Sequence, residues 1–123
     1  MTIQDQFGQK PINLKWNVVR GDTAKLRIEF LENDESTHFD ISDWTFASSS
    51  YDSKGEVVDE LEVDVSENYI DIVAASDITE NWGTGFSSVV AELGFDLEIT
   101  IGNEIWTPIV GTIVVSGDIT GSL

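Results

Sequence analysis

Residues Ala24-Lys25-Leu26-Arg27-Ile28-Glu29-Phe30 alternate apolar and charged side chains without a fault. That period of two marks a strand with one face in a core and the other in water. Leu26, Ile28 and Phe30 are expected to point inward, and Lys25, Arg27 and Glu29 outward. The stretch from Asn13 to Arg20 alternates for most of its length, and Gly21-Asp22 between the two segments reads as a tight connection. A third such segment runs from Val57 to Val65, where Leu61, Val63 and Val65 alternate with Glu60, Glu62 and Asp64. Its outer face therefore carries three carboxylates that need water, cations or a basic partner.

Other strands follow from shorter signals. Trp44 to Ala47 is one, Tyr69 to Val73 another, and Ser53-Lys54-Gly55 turns a hairpin into the strand at Val57. Ser76 to Glu80 suits a single helical turn capped by Ser76. The best-defined hairpin joins Val89 to Ile101 with Ile105 to Val115 through Gly102-Asn103. Pro108 interrupts the second arm, and since proline donates nothing to a ladder it predicts an edge or a bulge there. Seven or eight short strands, with no helix-period segment longer than a turn, predict an all-β fold, an antiparallel immunoglobulin-like β-sandwich. Residues 12–123 are expected to form this single domain, because no linker-like stretch divides them. Residues 1–11, polar and without strand periodicity, are expected to be a flexible arm that orders against a neighbour.

Charge sharpens the picture. Residues 1–29 carry five of the six basic residues and three carboxylates, while residues 30–123 carry one lysine and the other twenty carboxylates, for a net charge of −17. Such a field repels phosphate backbones and anionic lipid surfaces, so nucleic acid and membranes are not expected partners. It suits solubility, docking onto basic protein surfaces or binding of hard cations. The first residues hold no basic region followed by an apolar one, and no apolar run approaches the ~20 residues of a membrane span. Cysteine is absent, which removes disulfides, thiolate metal sites and cysteine nucleophiles together.

Candidate chemistry is sparse. His38 is the single histidine and lies in a polar turn, where solvation is the expected role rather than catalysis. No catalytic residue, cofactor or metal is assigned. Asn33, Asp34, Glu35, Asp40 and Asp43 gather hard oxygen ligands near one turn, a candidate calcium site whose spacing does not match the twelve-residue helix–loop–helix pattern. Arg20-Gly21-Asp22 spells an adhesion tripeptide but closes a strand, so Gly21 is read as a turn residue, fixed by Asp22 or Thr23. Of the four tryptophans, Trp16, Trp44 and Trp106 fall in or beside strands and are expected in or near the core. Trp82, before Gly83-Thr84-Gly85-Phe86, is expected to be exposed, which raises the alternative of a carbohydrate-binding or host-surface adhesion module.

Five segments together carry a resemblance: Val19-Arg20-Gly21-Asp22-Thr23, Phe39-Asp40-Ile41-Ser42-Asp43-Trp44-Thr45-Phe46, Phe95-Asp96-Leu97-Glu98-Ile99, Trp106 to Val115, and Asp118-Ile119-Thr120. In this order they resemble the small β-sandwich proteins of tailed-bacteriophage virions, such as N-terminal domains of baseplate upper proteins and related tail and neck modules. The sequence departs from that pattern at Asp43, where glycine is common, and in the longer stretch from Asn81 to Glu92. The resemblance implies a non-enzymatic virion component, present in several copies and bound to other virion proteins. A homo-oligomer would avoid the acidic face, so the expected contact residues are Phe7, Lys10, Trp16, Trp82 and Phe86.

Overall fold

The computed structural model describes residues 2–3, 11–31, 37–38, 40–82 and 91–117. These hold eight strands, β1 (Thr2–Ile3), β2 (Ile12–Val19), β3 (Ala24–Phe30), β4 (Thr45–Tyr51), β5 (Val57–Val65), β6 (Tyr69–Ala74), β7 (Ala91–Ile101) and β8 (Glu104–Ser116), and one helical turn, α1 (Ser76–Thr79). Strand β3 and strand β5 have the bounds that alternation predicts. In β5, Leu61 is buried while Glu60, Glu62 and Asp64 are exposed, but Val65 at the strand end is 53% exposed rather than inward. The cap of α1 also differs: Ala75 is the N-cap residue and no side chain caps the turn.

All strands belong to one mixed sheet, ordered β1-β3-β6-β5-β4-β7-β8-β2. The expected sheets were purely antiparallel, yet β2 runs parallel to β8 from Ile12 beside Ile109 to Val19 beside Ser116. Local patterns could not reveal this, because the first long strand meets the last across nearly the whole chain. Thr2 and Ile3, within the predicted arm, also pair in parallel with Glu29 and Phe30. Strand β5 turns the corner of the sheet. Its first half pairs with β4 and its second half, Glu62 to Val65, pairs with β6.

The sheet curls into a near-barrel, since buried side chains from both ends of the strand order share one core cluster. Trp16 on β2 meets Phe95 on β7 edge-on at 5.7 Å, and Phe30 on β3 meets Trp44, just before β4, edge-on at 5.2 Å. Trp44 in turn meets Trp106 on β8 edge-on at 6.2 Å. These offset rings fill the space between distant strands with apolar area, in the geometry aromatic quadrupoles favour. Pro108 sits in a bulge: Leu97 faces Ile109 and Ile99 faces Trp106, so Thr107 and Pro108 together oppose Glu98. The register of β2 with β8 begins at Ile109, so proline's missing donor falls outside that ladder.

Two turns follow the sequence reading closely. Ile101 pairs with Glu104 around Gly102-Asn103, with Gly102 at a φ of 59°. The β4–β5 turn is fixed by Asp52, whose Oδ1 accepts from the backbone N–H groups of Lys54 and Glu56 at 2.9 Å each. The β2–β3 turn is held differently from expectation. Thr79, fully buried on α1, donates its hydroxyl to the Asp22 carbonyl at 2.7 Å and accepts the Gly21 N–H at 3.1 Å. A residue 57 positions away thus locks the turn. Thr79→Val keeps the shape but removes both hydrogen bonds, and a loss of about 1–3 kcal/mol in urea unfolding is expected.

Candidate functional site

Alternation along each strand decides what the outer surface of the sheet presents. On β5 the outward side chains are Glu60, Glu62 and Asp64; on β7 they are Glu92, Asp96, Glu98 and Thr100. Between them β4 offers only small outward groups at Thr45, Ala47 and Ser49, next to Tyr51 at its end. Register sets Ser49 beside both Glu60 and Asp96, and Ala47 beside Glu98. The outer wall of β5, β4 and β7 is therefore a strip of small side chains bordered by carboxylates. Tyr51 donates its phenolic hydrogen to Asp96 Oδ2 at 3.0 Å. Partial burial, and then the carboxylate acceptor, hold its pKa above the usual tyrosine value.

Basic side chains gather at the other side. Lys25 and Arg27 point outward from β3, and Arg27 faces Asp71 across the antiparallel pair with β6. Its guanidinium donates to both carboxylate oxygens, at 3.0 and 3.2 Å, and lies 3.9 Å from the Tyr69 ring centre. The fork matches carboxylate geometry while the flat face of the cation lies on the ring. On the far side of β6, Asp71 faces Asp64 of β5, a like-charge pair that the guanidinium offsets.

The hydrogen bonds from Arg27 lower the Asp71 pKa below its ordinary 3.8; burial opposes them in part, and the positive charges of Arg27 and then Lys25 add smaller lowering effects. Because the folded carboxylate binds its proton at lower pH than the unfolded one, this contact stabilises the fold above 3.8 and is lost as pH falls through the folded value. Arg27→Ala is expected to cost little, since the guanidinium is largely exposed and water screens it. The difference from wild type should be greatest at neutral pH and low salt and should fade well below pH 3.8; urea titrations across that range check it.

A polar cleft of about 370 Å³ is lined by His38, Asp40, Ser42, Ser66, Glu67 and Asn68. His38 is exposed, as its polar turn predicts, and its Nε2 lies 3.7 Å from Glu29 Oε2. Asp40 accepts the Ser42 backbone N–H at 3.0 Å, and hydrogen bonding from Ser42 lowers its pKa. Asn33, Asp34 and Glu35 of the candidate calcium cluster lie outside the described residues, and no group of three or more potential metal-ligating side chains occurs among the described ones. Ser66-Glu67-Asn68 escaped sequence reasoning because they form the β5–β6 turn, and only folding brings that turn beside His38, Asp40 and Ser42.

The expected contact residues fare unequally. Phe7, Lys10 and Phe86 lie outside the described residues. Trp82, expected at the surface, is 2% exposed, and its indole Nε1 donates to Asp59 Oδ2 at 2.9 Å. Trp16 is 6% exposed against Phe95. Neither tryptophan offers a face to a partner in this fold, and the sugar platform expected of Trp82 is withdrawn. Arg20-Gly21-Asp22 does form the β2–β3 turn, with Gly21 at a φ of 92° and the Asp22 N–H bonded to the Val19 carbonyl at 3.0 Å.

No family model matches the chain, and no curated protein matches it. Among solved structures it is similar to the N-terminal domain of phage TP901-1 ORF48, with 11% sequence identity, a TM-score of 0.42, and coverage of 95% of this chain and 94% of that one.

Proposed function

We propose that the chain is a structural component of a tailed-phage virion, a module of the tail, baseplate, neck or capsid surface that works through contacts with other virion proteins and performs no catalysis. The observation that carries this reading is the division of the surface. A carboxylate-bordered wall covers β5, β4 and β7, whereas residues 11–21 and 105–117, neighbours in space through the β2–β8 ladder, contain no Asp or Glu. A protein that keeps acid off one face while carrying −17 overall has a place where another protein can approach without repulsion.

The motifs of the phage resemblance also support it. Arg20 to Thr23 forms the β2–β3 connection, Trp44 to Phe46 enters β4, Phe95 to Ile99 is central β7, and Trp106 to Val115 lies within β8. They specify turns and core positions of the kind a repeated structural module needs. Immunogold labelling of virus particles from a culture producing this protein tests the reading. Label concentrated at one locus of the particle is expected; unlabelled particles with the protein confined to the lysate would end it.

A further inference from the structure

The sheet ends at β2, whose far edge has no strand beside it among the described residues, whereas the edge of β3 is partly taken by Thr2 and Ile3. Strands left open are commonly blunted by proline, a bulge or charge. Strand β2 has no proline, its eight-residue register with β8 is unbroken, and its one charged side chain is Lys15. Strand β2 and its neighbour β8 lie in two long carboxylate-free stretches, residues 11–21 and 105–117, so two copies of net charge −17 can meet along this edge with little repulsion.

We propose that β2 of one copy pairs antiparallel with β2 of a second copy about a two-fold axis through Trp16. The register follows from side-chain parity and charge. Centring on Lys15 sets the two lysines directly opposite, which is unfavourable. Centring on Trp16 pairs residues 13–19 in full: Trp16 with Trp16 and Leu14 with Val18 on the inner face, Lys15 with Asn17 and Asn13 with Val19 on the outer. Each lysine then meets an amide oxygen. Both edges are the same surface, so the contact closes as a dimer and does not propagate.

The inference is independent of the virion reading, because it concerns the free protein. Edge pairing alone buries little area, so the dimer is weak and needs sedimentation equilibrium at protein concentrations up to ~0.5 mM. Asn17 is exposed, so changing it should leave the monomer fold intact. Asn17→Lys sets two lysines opposite at two symmetric places and should weaken dimerisation about tenfold. Asn17→Asp supplies an ion-pair partner for Lys15 and should tighten it by a similar factor. Net charge alone predicts the reverse order, since Asn17→Lys makes each copy less negative. In the unmodified protein, amide exchange over Ile12–Val19 should slow as concentration rises. A monomer throughout, variants unchanged or reversed in order, or β2 exchange indifferent to concentration would each overturn the proposal, and none would bear on where the protein sits in a particle.

Discussion

Gly111→Ala should be the most damaging small substitution in the molecule. A Cβ at this position would lie 2.0 Å from the Leu14 carbonyl oxygen and 2.8 Å from Phe95 Cε1. The first of these is backbone, so no rotamer change relieves it; β2 must move off β8, or the strand must bend. Leu14 faces Gly111 inside the parallel ladder, with Trp16 two pairs further on beside Ile113. Displacing β2 there also lifts Trp16 from Phe95. Overpacking of this kind costs about 3 kcal/mol or more, a fall of roughly 10 °C in Tm for a domain of this size. Urea and thermal unfolding check it. A variant as stable as wild type would show that β2 does not approach β8 as described. By contrast Gly94→Ala, whose Cβ would meet its nearest neighbour at an ordinary 3.7 Å, should be mild.

Trp82→Ala should cost a comparable amount, about 3–5 kcal/mol, because it empties a large buried site. It also removes the indole donor that ties the segment after α1 to β5 through Asp59. Trp82→Phe separates the two contributions: much of the apolar ring stays, the hydrogen bond goes, and a loss of about 1–2 kcal/mol is expected. Denaturant midpoints for both variants supply the test. The same experiment bears on glycan binding. If Trp82 were a surface platform, alanine would leave stability unchanged; the buried indole predicts that stability falls first.

The residues around Trp82 carry no local sign of its burial. It stands before Gly83-Thr84-Gly85 and after a single helical turn, a context typical of exposed loops. Its burial depends on Asp59, 23 positions earlier, and on the curl of the sheet that brings β5 over it. Thr79 is a parallel case, since nothing local to Ser76–Thr79 announces that its hydroxyl closes the β2–β3 turn.

Alternation alone is enough to specify the strands whose two faces differ. Alternation in Ala24–Phe30 and Val57–Val65 fixed both their bounds and the outward placement of Lys25, Arg27, Glu60, Glu62 and Asp64, because strand geometry sends successive side chains to opposite sides whatever their partners are. The sequence also specifies the Gly102-Asn103 hairpin and narrows Pro108 to an edge or a bulge, both from the backbone limits of single residues; the pairing of β8 on both sides leaves the bulge. The parallel docking of β2 on β8, the switch of β5 between β4 and β6, and the buried positions of Thr79 and Trp82 are visible in no single segment. Those features come from contacts between distant segments, chosen by how the whole sheet encloses its core. That enclosure also gathers the carboxylate-free segments 11–21 and 105–117 onto one edge, so the surface offered to a partner belongs to the fold and not to any one stretch of chain.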